Sequence, residues 1–153
     1  MLVIAPAASA VAPACGNASL LITASLEQGA TGHANFIVRF RNQTTHACTL
    51  YGYPAVDALN ASGAVIKHAR RTLTGFTGGS TQGLQTITVR PGRYASADVE
   101  WDTFNFRTGG SCRMSHSVAV TPPNTTHTVD LARSVSVCGL QVHPVVAGLT
   151  GNS

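Results

Sequence analysis

A chain of 153 residues, 44% of them hydrophobic, is long enough for one domain with a real core and too apolar to remain disordered. Only 10% of the residues are charged, and the formal net charge of +4 comes from nine Arg and Lys67 set against six scattered acids. That excludes a basic stripe interleaved with stacking aromatics, hence a nucleic-acid partner, and leaves a Thr-, Ser-, Asn- and Gly-rich surface suited to extended structure.

Taken in order, the chain opens with a short apolar run that closes on Ala8-Ser9-Ala10, a signal-peptidase pattern. Residues 1–14 are read as the remnant of an export segment whose start lies upstream of Met1. Neither this run nor any later one is long enough to cross a bilayer as a helix. Residues 15–147 are read as one domain and residues 148–153 as a flexible tail.

Ser19–Leu26 alternates, with Leu20, Ile22, Ala24 and Leu26 on one side, and Ala34–Asn42 alternates again, with Phe36, Val38 and Phe40 inward. A turn at Gly29–Gly32 joins them into an antiparallel hairpin. Four cysteines, Cys15, Cys48, Cys112 and Cys138, are far apart and lack Cys-x-x-Cys metal spacing. An even, dispersed set suits two disulfides and an oxidising compartment, with three pairings open. The hairpin selects among them. Residues before Ser19 lie opposite residues after Arg41, so Cys15 meets Cys48, and Cys112 is left for Cys138.

Thr49–Leu59 reads as a strand bent at Gly52 and Pro54. Strands follow at Ala64–Ala69, Leu84–Val89, Tyr94–Trp101, Ser115–Thr121, Thr126–Ala132 and Ser136–Val146. Thr74–Gly83 and Asp102–Ser111 are glycine-bearing loops, the first long and mobile. Along Tyr94–Trp101, Ala95, Ala97, Val99 and Trp101 face the core, while Ser96, Asp98 and Glu100 face solvent. A short helix at Leu131–Ser136 has weak support. Eight or nine short strands with Gly and Pro turns indicate an immunoglobulin-like antiparallel β-sandwich.

The chemistry-bearing residues form no strong constellation. Six histidines (His33, His46, His68, His116, His127, His143) make no metal-ligand spacing and read as exposed polar groups. Met114 and His116 could form half of a copper site. Glu100 and Asp102, flanking Trp101 on one strand face, could serve glycoside chemistry, although Asp98 joins the same face and carboxylates paired with arginines on a solvated face explain all three as well. No Gly-x-Ser-x-Gly elbow is present. Trp101 with Phe36 and Phe40 is assigned to the core. Phe76, Phe104 and Phe106 sit in loops and are the candidate partner-binding residues, unless they fold back to plug one end of the sandwich.

Cys48-Thr-Leu-Tyr-Gly-Tyr-Pro54, Gly63, the Arg90-Pro-Gly92 turn with Ala95-Ser-Ala97, Trp101, Cys112, Val137-Cys138-Gly139, Val142 and Pro144 resemble one family across nearly the whole domain. It is DUF4232, a domain of unknown function in actinobacterial secreted proteins and lipoproteins. The resemblance implies an exported, immunoglobulin-like sandwich of the cell envelope and carries over no catalytic residue. The resulting expectation is a non-enzymatic binding or structural module, secreted or envelope-associated, requiring no metal or cofactor. Its partner would be an envelope protein, glycan or lipid. The alternative is an envelope hydrolase or metal-handling protein that uses the histidines and carboxylates.

Overall fold

Alternating apolar residues build the first hairpin as expected. Strands β1 (Leu20–Ala24) and β3 (His33–Asn42) pair antiparallel from Leu20↔Asn42 to Ala24↔Val38. The structure is a computed structural model that describes residues 2–4 and 11–153; the Ala8-Ser9-Ala10 motif lies outside the described residues. The connection is tighter than the sequence suggests. A further strand, β2 (Gln28–Ala30), pairs with the start of β3, and the chain reverses at Thr31 and Gly32, where Gly32 takes φ 77°. Leu26, expected inward, is 82% exposed. The alternation ends one residue earlier, where both the amide and the hydroxyl of Ser25 bond to the backbone of Ile37.

Strands β4 (Cys48–Leu50) and β5 (Ala55–Leu59) are the two halves of the expected bent strand. Gly52 at φ 100° breaks the chain between them. Eight further strands are described: β6 (Val65–His68), β7 (Arg70–Arg71), β8 (Ile87–Val89), β9 (Tyr94–Asp102), β10 (Ser117–Thr121) and β11 (Val129–Leu131) follow β5 in order, and β12 (Gln141–Val142) and β13 (Val146–Ala147) come last. The single strand expected over Ser136–Val146 is therefore split. His143–Val145 separates its halves, and Pro144 has no amide to give a ladder. No described residue is helical, Leu131–Ser136 included.

Three sheets result. The largest runs β1-β3-β9-β12-β7, with β2 pairing on β3 and β13 on β9; the second runs β11-β10-β5-β6; β4 and β8 form a two-stranded ribbon. Nearly every pairing is antiparallel, the β7–β12 pair being parallel. The result is an all-β sandwich. Its core joins Leu20, Ile22, Phe36, Val38, Phe40 and Val99 of the large sheet to Val56, Ala58, Val118 and Val120 of the second. Trp101 is 2% exposed and tilts against Phe36 with ring centroids 5.7 Å apart, in the role assigned to it. Both expected disulfides form. Cys15–Cys48 and Cys112–Cys138 span 33 and 26 residues. In the chain-entropy account each is worth roughly 3–4 kcal/mol.

The outer face of β9 is not solvated. Ser96, Asp98 and Glu100 are all buried, because two segments lie across them. One is the strap 72–80, part of the loop expected to be mobile. The other is the tail 148–153, expected to be free. Gly151 donates to Ser96 Oγ, Asn152 Oδ1 accepts from the Gly79 amide, and the Ser153 amide donates to Gly79 O. Glycine makes this approach sterically feasible: a Cβ on Gly75 would lie 2.2 Å from Glu100 Oε1.

Candidate binding site

The strap is held down by a buried polar network. Glu100 accepts from the amides of Phe76 and Thr77, both at 2.8 Å. His143 Nε2 lies 3.1 Å from Glu100 Oε2, and His143 Nδ1 lies 2.9 Å from the carbonyl of Thr72. With an acceptor at each ring nitrogen, the ring is satisfied as imidazolium. Burial alone would lower its pKa, but the bond to Glu100 and the Thr72 carbonyl outweigh it and hold the pKa above the ordinary 6.5. Burial likewise pushes the Glu100 pKa up, but the hydrogen bonds from His143, Thr77 and the two strap amides together bring it down to about 2.

Asp98 behaves in the opposite way. Burial raises its pKa, against the hydrogen bonds of Asn35 and Thr77. The Thr77 hydroxyl touches Asp98 Oδ2 and Glu100 Oε2 together. One hydroxyl proton cannot serve two carboxylates. The arrangement closes if Asp98 keeps its proton and gives it to Thr77 Oγ1, which in turn donates to Glu100. Among the described residues, Asp98, Glu100 and His143 are the one group of His, Cys, Asp and Glu close enough to share an ion, their ligand atoms lying within 4.8 Å. Those atoms are engaged in the hydrogen bonds just described, and no buried side-chain polar atom of the described residues lacks a partner. The chemistry of the set is that of a clamp.

The clamp presents Phe76 at the surface. Phe76 stacks on His33 at 3.8 Å with an interplanar angle of 18°. His33 stacks in turn on Phe106 at 5.3 Å, and Phe106 meets Phe104 at 4.1 Å. Four rings from the strap, the start of β3 and the loop after β9 thus form one column. Asp102 fixes His33 through a 3.1 Å contact with Nδ1, and the Thr103 amide bonds to Gly32 O, tying the loop to the β2–β3 turn. The rings are not plugs for the core: Phe76 is 63% exposed and Phe106 54%.

The sequence therefore named three of the four column residues, Phe76, Phe104 and Phe106, and the structure brings them together. It did not single out His33, whose partners are some forty to seventy positions away. The three acids do not share a solvated face or pair with arginines. Asp98 and Glu100 are buried in the clamp and Asp102 holds His33. His143, read as exposed, is fully buried, whereas His46, His68, His116 and His127 are exposed. Cys15, Cys48, Cys112 and Cys138 are all consumed in disulfides.

Fold and site together define a two-disulfide β-sandwich with a clamped strap and an exposed aromatic column. The chain belongs to the family described as a domain of unknown function, DUF4232, whose pattern it matches over residues 15–147. No curated protein matches it. Among solved structures, the chain is similar to a β-glucosidase from Kluyveromyces marxianus at 12% identity and a TM-score of 0.39, covering 85% of this chain and 14% of that one. The same enzyme in complex with glucose gives 13% identity and a TM-score of 0.37, covering 76% of this chain and 14% of that one. The chain thus spans about a seventh of the length of those enzymes. Two disulfides suit an oxidising, extracytoplasmic environment, and no helix among the described residues is long and apolar enough to cross a membrane.

Proposed function

We propose that this chain is an exported, non-enzymatic binding module of the cell envelope and that it engages its partner through the column Phe76–His33–Phe106–Phe104. The observation that carries this reading is the exposure of three stacked phenylalanines on a platform fixed from below. Large apolar rings left in solvent by a fold that buries Phe36, Phe40 and Trp101 almost completely are a contact surface. The clamp supports the same reading, because a pre-ordered loop binds without the entropic cost of being ordered at that moment. The constellation a hydrolase or a metal carrier would use, His143 with Glu100 and Asp98, is here committed to holding the strap. The two disulfides and the Ala8-Ser9-Ala10 sequence pattern support export.

The test is capture from envelope extracts, comparing the purified chain with the Phe104→Ala/Phe106→Ala variant. The variant is expected to lose capture while keeping its melting temperature, since both rings are surface groups. Equal capture by the two proteins would remove the column from the proposal.

A further inference from the structure

Beside the column lies an open groove of about 490 Å³, floored by the outer face of β3 and walled by the strap and the tail. Phe76 belongs to both features. One of its faces is covered by His33, the ring is 63% exposed, and Phe76 lines the groove. The column thus backs a ring that also belongs to the groove wall.

The polar side chains lining the groove keep free donors and acceptors. The Gln28 amide makes no hydrogen bond among the described residues, and Asn35 uses Nδ2 on Asp98 but leaves Oδ1 without a partner. Asn35 is nevertheless no buried orphan, so its Oδ1 is reached from the groove. Asn152 spends Oδ1 on the Gly79 amide and keeps its Nδ2 free. Arg39 is oriented by a bond from Nε to Leu149 O at 3.1 Å, which leaves both terminal nitrogens without a carboxylate partner among the described residues. No acidic residue lines the groove.

Resting on the binding-module reading, we infer that the groove takes a glycan chain carrying carboxylate groups, with one pyranose seated on Phe76 and the acid of another sugar along the chain on Arg39. The match is chemical. A pyranose has an apolar C–H face that fits a flat ring, and hydroxyls that both donate and accept, as Gln28, Asn35 and Asn152 require. An unpaired guanidinium held in a fixed direction suits a planar carboxylate, which it can bind through two parallel hydrogen bonds. A nucleic acid would share the ring and the arginine, but it needs a track of cations along its backbone, and the groove holds one.

The experiment uses the full chain on an array of immobilised acidic glycans (oligogalacturonate, alginate and hyaluronan oligosaccharides) beside neutral cellohexaose and xylohexaose. Retention is expected on the acidic set, weakening as salt rises. Arg39→Gln is expected to lower affinity for the acidic glycan about tenfold, as loss of a charge-assisted pair does, and to abolish the salt dependence. Gln28→Ala changes an exposed side chain and supplies a second variant that folds; it is expected to weaken binding several-fold. Thermal melting of each variant separates lost binding from lost folding. Retention of no acidic glycan, or unchanged retention by Arg39→Gln, overturns the inference. If the wild type then still captures an envelope component in a Phe104- and Phe106-dependent way, the binding module stands and only its glycan ligand falls. Retention of single-stranded DNA in place of glycans would also overturn it.

Discussion

His143 Nε2 and Glu100 Oε2 sit 3.1 Å apart with their side chains 0% and 3% exposed, and this contact holds a surface loop from beneath. A buried pair of this kind is costly to break from one side, because the surviving charge is left without water or partner. His143→Ala is expected to destabilise the fold by about 3–5 kcal/mol. Urea unfolding of the variant would measure it. Adding Glu100→Gln removes the orphaned charge, so the double variant is expected to recover part of the loss. A double variant no more stable than His143→Ala would contradict the pair.

Stability should fall on both sides of mild acidity, for separate reasons. Glu100 has a folded pKa of about 2, below its ordinary 4.5. Its contribution is complete above 4.5 and is lost as pH falls toward 2. His143 has a raised folded pKa, so its contribution is complete below its ordinary 6.5 and declines as pH rises through the folded value. Asp98, also raised, favours the fold below its ordinary 3.8 and loses that advantage as pH rises through its own folded value. Melting temperature followed across pH is expected to peak between 3.8 and 4.5, where the last gain from Glu100 offsets the first loss from Asp98, and to decline further above 6.5 as His143 loses its share. The alkaline decline is expected to be shallower in His143→Gln than in the wild type.

Gly75 is a steric test of the clamp. A methyl group there meets Glu100 Oε1 at 2.2 Å, whereas one on Gly29 finds its nearest atom at 3.9 Å. Gly75→Ala is expected to lift the strap and to cost about 1–3 kcal/mol, as overpacking does. Gly29→Ala is expected to be near neutral. Hydrogen exchange at the Phe76 and Thr77 amides reads the effect directly, and unchanged protection in Gly75→Ala would count against the strap as described.

The two disulfides are expected to fail differently. Cys15 and Cys48 are 2% and 5% exposed and belong to the core cluster. Their replacement by serine is expected to lower stability by roughly 3–4 kcal/mol from loop entropy, with a further loss from burying hydroxyls. Cys138 sits beside the loop that carries Phe104 and Phe106, its carbonyl accepting from the Asp102 amide at 2.8 Å. Cys112→Ser/Cys138→Ser is therefore expected to reduce envelope capture as well as stability. Binding and melting measured on both double-serine variants distinguish the two roles.

What could be read from the sequence was what depends on neighbours along the chain. Alternation in Ala34–Asn42 and Tyr94–Trp101 fixed which side chains enter the core, and turn residues fixed where β1 returns as β3. Cys15 and Cys48 followed from that one hairpin. Their meeting is long-range in sequence but dictated by a local register. The burial of Asp98, Glu100 and His143 left no such trace. Alternation assigns the two acids to the second face of β9 correctly, yet it is silent on what covers that face. The cover is an irregular strap with no periodic pattern, together with a tail. The Gly75, Gly78 and Gly79 cluster was the available signal, since glycines repeat where backbone must lie close to another surface. It reads equally as mobility, and that is how the sequence alone presents it.

Strand β3 gives the molecule a direction. His33, inside the aromatic column, stands at one end. Asn42, which donates to Val89 O beside the Cys48 pairing, stands at the other. At about 3.3 Å per residue the ten residues of β3 separate these ends by about 30 Å. Cys15 and the residues just before it are fastened at the Asn42 end, where Pro13 O accepts from the Thr49 amide. A tether reaching the domain through Pro13 would hold it upright, with the rings at the far tip and the sandwich as the stalk that carries them clear of the attachment surface.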